Sequence, residues 1–170
     1  MRRNFKFALS GILTTLAIIS FVIESLFPPI ILAGARIGVS NVFILLSLIM
    51  LGEGYAFITL ILKTIQGSLF AGNVSMLIYS LPSGALALIT EILLFRLVKS
   101  SIISASISGA VINSISQGLI FCLITKTLET LYYLPYLVLI AILSGATIGL
   151  ASYFILKRLP LRLDIKKEND

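Results

Sequence analysis

Seven polar side chains stand out in an otherwise apolar chain: Glu24, Arg36, Asn41, Lys63, Gln66, Asn113 and Gln117. Their chemistry is recognition, because carboxylate, guanidinium and ammonium groups pair with opposite charges and carboxamides both donate and accept. Covalent and metal-assisted chemistry lack their usual residues. The sequence has no His and one Cys, Cys122, while its Asp residues, Asp164 and Asp170, fall in the C-terminal tail. That leaves no Ser–His or Cys–His nucleophile, no zinc site of the usual spacing and no haem or iron–sulfur ligation. It also leaves no intrachain disulfide and no intramembrane aspartate pair to hold Mg²⁺ against a diphosphate. A G-x-x-x-x-G-K-[ST] loop for ATP hydrolysis is missing as well. The chain is expected to be no enzyme and to use no cofactor.

The elements that position these residues follow from composition. With 170 residues, 58% hydrophobic and 12% charged, and a mean hydropathy of +1.10, the chain carries more apolar surface than a soluble fold can bury. The expected fold class is an all-α integral membrane protein, a single domain of about six transmembrane helices. Apolar runs cover residues 7–27, 37–51, 55–70, 74–95, 102–124 and 132–156, and 157–170 form a polar tail. Pro28-Pro29, Gly52-Glu53-Gly54, Gly72-Asn73, the stretch from Arg96 to Ser101 and that from Lys126 to Thr130 separate them. The second and third runs are short for a hydrocarbon core of about 30 Å, so they read as tilted helices or as a hairpin shielded by its neighbours.

Arg2, Arg3 and Lys6 before the first run and Ala33-Gly34-Ala35 after it resemble a secretory signal. The run is longer than a signal core, contains Glu24 and is followed by five more, which favours a transmembrane helix. Arg2, Arg3, Lys6, Arg96, Lys99, Lys157, Arg158, Arg162, Lys166 and Lys167 fall on one side of the predicted bundle, against Arg36 and Lys126 on the other. The positive-inside rule then places both termini in the cytoplasm of a bacterial inner membrane. The net charge of +6 is accounted for by topology, and no nucleic-acid partner is expected. Tyr132, Tyr133 and Tyr136 fit an interfacial aromatic belt.

Helical rise brings the seven polar residues, with Ser68, Tyr79, Ser80 and the Pro82-Ser83-Gly84 break, toward one outward-facing layer. Polar groups at membrane depth face a bundle interior or a water-filled cavity, and their convergence predicts a binding site. Each has a plainer reading. Glu24 and Arg36 also suit side chains reaching for headgroups, and Asn113 with Gln117, one turn apart, suit interhelical hydrogen bonding. Lys63, near mid-helix, needs Glu24, a solute anion or a water path, unless it snorkels to the surface. Pro82 either kinks its helix or frees a carbonyl toward a cavity. Gly145 and Gly149 form a GxxxG, with Ala141 and Ser152 extending the ridge, for internal packing or for docking another subunit. Ser10, Gly11, Thr14 and Thr15 offer a second small-residue surface.

The segment Gly34-Ala35-Arg36-Ile37-Gly38-Val39-Ser40-Asn41 resembles the G-x-[KR]-x-G-x-[AS]-N segment of the Gx transporter family, historically labelled heptaprenyl diphosphate synthase component I. The stretches from Glu24 to Pro29, from Lys63 to Phe70 and from Gly109 to Gln117 occur where that family has similar segments, so the resemblance spans nearly the whole chain. Asn113-Ser114 stands where the family often has His-Asn, so a role needing a titrating imidazole is not carried over. Hydrogen bonding to a solute is.

The family is similar in layout to the S components of energy-coupling factor transporters, which implies an S-component-like membrane subunit that captures a small solute from outside. The implied partners are the lipid bilayer, a small-molecule solute, a transmembrane coupling subunit and ATPase subunits. Glu24, Arg36, Asn41, Lys63, Gln66, Asn113 and Gln117 would line the site, with residues 28–35 as a lid. Arg36 and Lys63 against Glu24 predict an acid-bearing solute. Two rivals are a non-catalytic membrane component of polyprenyl diphosphate synthesis and a membrane scaffold for a flavin- or quinone-linked electron-transfer assembly.

Overall fold

The computed structural model describes residues 3–26, 38–72, 74–126 and 128–158, with the backbone alone for 128–130. Arg36, the lid at residues 28–35 and the tail beyond Arg158 lie outside the described residues. Six α-helices follow in order: α1 (Arg3–Leu26), α2 (Ser40–Leu51), α3 (Glu53–Phe70), α4 (Ser75–Leu93), α5 (Ile102–Thr125) and α6 (Leu134–Arg158). A π-helical turn at Leu94–Val98 extends α4, and a 3₁₀ turn at Leu128–Tyr133 precedes α6. No strand occurs among the described residues. An apolar chain in lipid must satisfy its backbone polar groups within each segment, which is why every apolar run is helical.

Four stretches are long and apolar enough to cross a membrane: Arg3–Leu26, Ser75–Val98, Ile102–Thr125 and Leu131–Arg158. The protein is therefore a multi-pass membrane bundle. Its apolar surface agrees, since Leu97, Leu123 and Leu143 are 77%, 77% and 70% exposed, values costly in water and natural against acyl chains. The helix α2, with 12 residues, is about 18 Å long and too short to span alone. Nine of those 12 residues are buried, so neighbouring helices shield it almost all round.

Helix contacts close a ring: α1 packs on α2 and α3, α3 on α4, α4 on α5, α5 on α6, and α6 returns to α2. At the centre Leu13, Val42, Leu45, Leu60, Leu88 and Ile148 form the apolar core. A buried polar cluster joins α1, α2 and α3, with Thr14 Oγ1 3.1 Å from Thr59 Oγ1 and the Thr59 hydroxyl donating to Ser47 Oγ at 3.4 Å. Small hydroxyls let these helices approach closely while satisfying their own polar atoms.

The GxxxG ridge of α6 is used inside the bundle. A Cβ on Gly145 would lie 2.7 Å from the Ile107 Cα and 2.9 Å from the Ser106 carbonyl oxygen, and one on Gly149 would lie 2.8 Å from the Ile103 Cα. The two glycines thus bring α6 onto the backbone of α5, and the Ser106 hydroxyl donates to the Gly145 carbonyl at 2.8 Å. At the end of the bundle that holds the α2–α3 turn, Arg96 Nε lies 2.6 Å from Glu53 Oε1. Both side chains are well exposed, so this pair fixes orientation more than stability. The helix α4 stays helical through Pro82, whose ring is exposed while Ser80 and Gly84 face inward.

Candidate functional site

The site lies at the opposite end, where α1 finishes and α2 begins. Gly38 takes φ +75°, a conformation that favours glycine, and its carbonyl accepts from the Asn41 N–H at 2.8 Å to start α2. A Cβ there would also press on Asn41 Nδ2 at 3.3 Å and Ile148 Cδ1 at 3.4 Å. The glycine and asparagine of the segment Gly38-Val39-Ser40-Asn41 therefore have separate physical tasks: one makes the turn and the other faces the cavity.

Glu24, at the end of α1, accepts from the Ser40 N–H at 3.3 Å. Its carboxylate sits on the first turn of α2, where unsatisfied amides and the helix dipole favour an anion. One residue on, Asn41 Oδ1 accepts from Lys63 Nζ at 2.7 Å. Lys63 is only 5% exposed, and its ammonium lies 5.5 Å from the centre of the Phe21 ring, within cation–π range. Gly67 leaves room for that ring, since a Cβ on it would fall 2.5 Å from Phe21 Cδ1. Lys63 is thus directed inward by a carboxamide and an aromatic face, and its burial rules out snorkelling to the surface.

Around these groups opens a cavity with both polar and apolar walls. Glu24, Asn41, Lys63, Asn113 and Gln117 all line it, together with Ser80, Ser114 and Ser144. No hydrogen bond ties the Asn113 or Gln117 carboxamide to another described residue, so neither acts as interhelical glue among them. A ligand in the cavity would find unused donors and acceptors on α5.

A second chamber continues inward and shares Asn41, Leu60, Gly84, Ala110, Asn113 and Ile148 with the first. Glu91 of α4 and Ser106 of α5 line it. Glu91 is half-buried and packs on Gly109, where a Cβ would lie 2.5 Å from its Oε1. The two chambers together follow α4 from Ser80 to Glu91, about 16 Å of helix.

Not every residue selected from sequence reaches this space. Gln66 is exposed and lies outside the cavity lining. The buried residues of α3 run Ala56, Thr59, Leu60, Lys63, Thr64, Gly67 and Ser68, and Gln66 falls off that stripe. A helical wheel weighted by small and hydroxylic residues would have separated it from Lys63. Ser80, expected in the same polar layer, lines the space, whereas Glu91, Ser114 and Ser144 were missed. Glu91 carried the same signal as Lys63, an ionisable group inside an apolar run, whereas isolated serines in membrane helices carry almost none. Among the described residues no three His, Cys, Asp or Glu side chains gather to hold a metal ion.

No curated protein and no solved structure matches the chain. A family model does, over residues 13–155, from the middle of α1 to near the end of α6, so it takes in every lining residue named above. By that match the chain belongs to the heptaprenyl diphosphate synthase component I family.

Proposed function

We propose that the chain is the substrate-binding, S-component-like subunit of a small-solute uptake transporter, without an ATPase of its own. The observation that carries this reading is the two-chambered cavity, on which Lys63, Asn41, Asn113 and Gln117 converge from α2, α3 and α5. A buried ammonium held at the cavity wall by a carboxamide suits an acid-bearing solute. Transport would require a transmembrane coupling subunit and ATPase subunits as partners. The family's description favours a second reading, a non-catalytic membrane component tied to heptaprenyl diphosphate synthesis.

The test is direct. Protein purified in mild detergent is expected to retain a small polar molecule that mass spectrometry identifies, and to co-purify with ATPase subunits. Retention of nothing small, together with co-purification of a prenyl synthase, would favour the second reading.

In this reading the cavity opens outward and both termini are cytoplasmic, as the clustering of Lys and Arg suggests. In a background where Cys122 is replaced by Ala, a cysteine at Val74 is expected to react with an impermeant maleimide on intact cells. A cysteine at Lys157 should react only after permeabilisation. The reverse pattern would invert the topology and place the cavity on the cytoplasmic side.

A further inference from the structure

We propose that the lipid-facing side of α3 is an interface between two copies of this chain, closed by reciprocal hydrogen bonds between their Gln66 carboxamides. This interface is independent of what the cavity binds.

Gln66 is a polar side chain for which the cavity has no use. It is exposed, and no hydrogen bond joins its carboxamide to another described residue. Two exposed threonines on the spanning helices behave differently. The Thr15 hydroxyl donates to the Gly11 carbonyl at 2.9 Å and that of Thr147 to the Ser144 carbonyl at 2.7 Å, so each is satisfied within its own helix. Around Gln66 the surface is apolar, because Leu62, Ile65, Leu69 and Phe70 are all exposed. Phe70, which ends the helix about 6 Å further out, is 72% exposed. Helical side chains lean toward the helix N-terminus, which in α3 is the end with the α2–α3 turn. The carboxamide is therefore aimed away from the nearer headgroups and into the hydrocarbon layer, where an unmet polar group is costly.

Symmetry identifies the partner. Copies in one membrane share an orientation, so a two-fold axis relating them runs along the membrane normal and brings their α3 helices together at equal depth. A residue near that axis meets its own counterpart. A carboxamide suits such a meeting, because its carbonyl accepts while its amide donates, and two of them satisfy each other. The apolar part of the face fits the same arrangement. Ile58, Leu62, Ile65 and Leu69, all exposed, are spaced four, three and four residues apart, the seam of two parallel helices packed knobs into holes. Gln66 stands about 40° from Leu62 around the helix, at the edge of that seam. Within the chain α3 packs on α1, α2 and α4, and its contacts with them leave this side uncovered.

The experiment uses the full chain in bacterial membranes, with Cys122→Ala as background and one cysteine added at a time. Oxidation by copper phenanthroline is read as the share of chain that runs as a disulfide-linked dimer, and mass spectrometry identifies what the linked band contains. Leu62→Cys and Leu69→Cys are expected to link this chain to itself, whereas Leu143→Cys, on the lipid-facing side of α6, should give only the background of random collision. Adding Gln66→Leu to the Leu69→Cys chain should lower the linked share by about fivefold or more. Gln66→Asn, which keeps the carboxamide, should restore part of it. Gln66→Leu should be recovered from the membrane in wild-type amount, since leucine suits a lipid-facing position, and this separates lost association from lost fold. Linking at Leu69→Cys no greater than at Leu143→Cys, or equal with and without Gln66→Leu, overturns the proposal. A linked band that joins this chain to a different protein also overturns it and assigns the face to that partner. Each of these outcomes leaves the solute-binding reading standing, because Gln66 lies outside the cavity lining.

Discussion

Replacing Gly145 by valine is expected to abolish recovery of folded, monodisperse protein, the largest stability effect of any single substitution in the bundle. The atoms that a Cβ would meet are the Ile107 Cα, the Ala110 Cβ and the Ser106 carbonyl oxygen, all within 3.0 Å. Two of the three belong to backbone, so no rotamer change relieves the clash and α5 must separate from α6. Overpacking of a well-packed core typically costs about 1–3 kcal/mol where neighbours can yield, and the cost here should exceed that range. The Ser106–Gly145 hydrogen bond would go with it, at about 0.6 kcal/mol for a typical interhelical bond in a membrane. Graded controls make the measurement decisive. Gly11→Ala, where nothing lies within 4 Å, should unfold like wild type, and Gly118→Ala, with Leu134 at 3.6 Å, should do nearly as well. Thermal unfolding in detergent should then rank Gly11→Ala, Gly118→Ala, Gly145→Ala and Gly145→Val in falling order. A Gly145→Val protein as stable as Gly11→Ala would mean that α6 does not cross α5 in this way.

The same crossing shows what the sequence could and could not convey. The GxxxG spacing was readable as a close-packing surface, because only small residues allow backbones to meet. Its partner was not, since nothing in α6 distinguishes the backbone of α5 from that of a second subunit. The helices were legible for a simpler reason: long apolar runs broken by Gly and Pro leave the backbone no other way to satisfy its polar groups in lipid. The site was half legible. Lys63 announced itself by its charge, and Asn113 with Gln117 by their spacing of one turn. The Glu24 contact with the amide of Ser40 depends on how α1 meets α2, a tertiary fact without a local pattern. Gln66, three residues from Lys63, is rotated about 60° from it around the helix, enough to leave the buried stripe.

Lys63→Met is expected to weaken solute binding by about thirtyfold or more, roughly 2 kcal/mol, while the protein remains folded. The side chains are similar in length, so the space beside Phe21 and Asn41 stays filled. Removing a nearly buried ammonium also removes its desolvation cost, which offsets the lost bond to Asn41 and the lost attraction to Glu91. Stability without solute should therefore change little. Binding should change a great deal, because the acid of the solute would enter a low-dielectric cavity with its cation gone. Asn41→Leu separates recognition from positioning. It leaves the charge but removes the 2.7 Å bond that directs it, so binding should fall less than in Lys63→Met, and a higher solute concentration should restore it. If Lys63→Met binds the solute as wild type does, the ammonium is structural, and the acid end of the ligand must be recognised by other groups in the cavity.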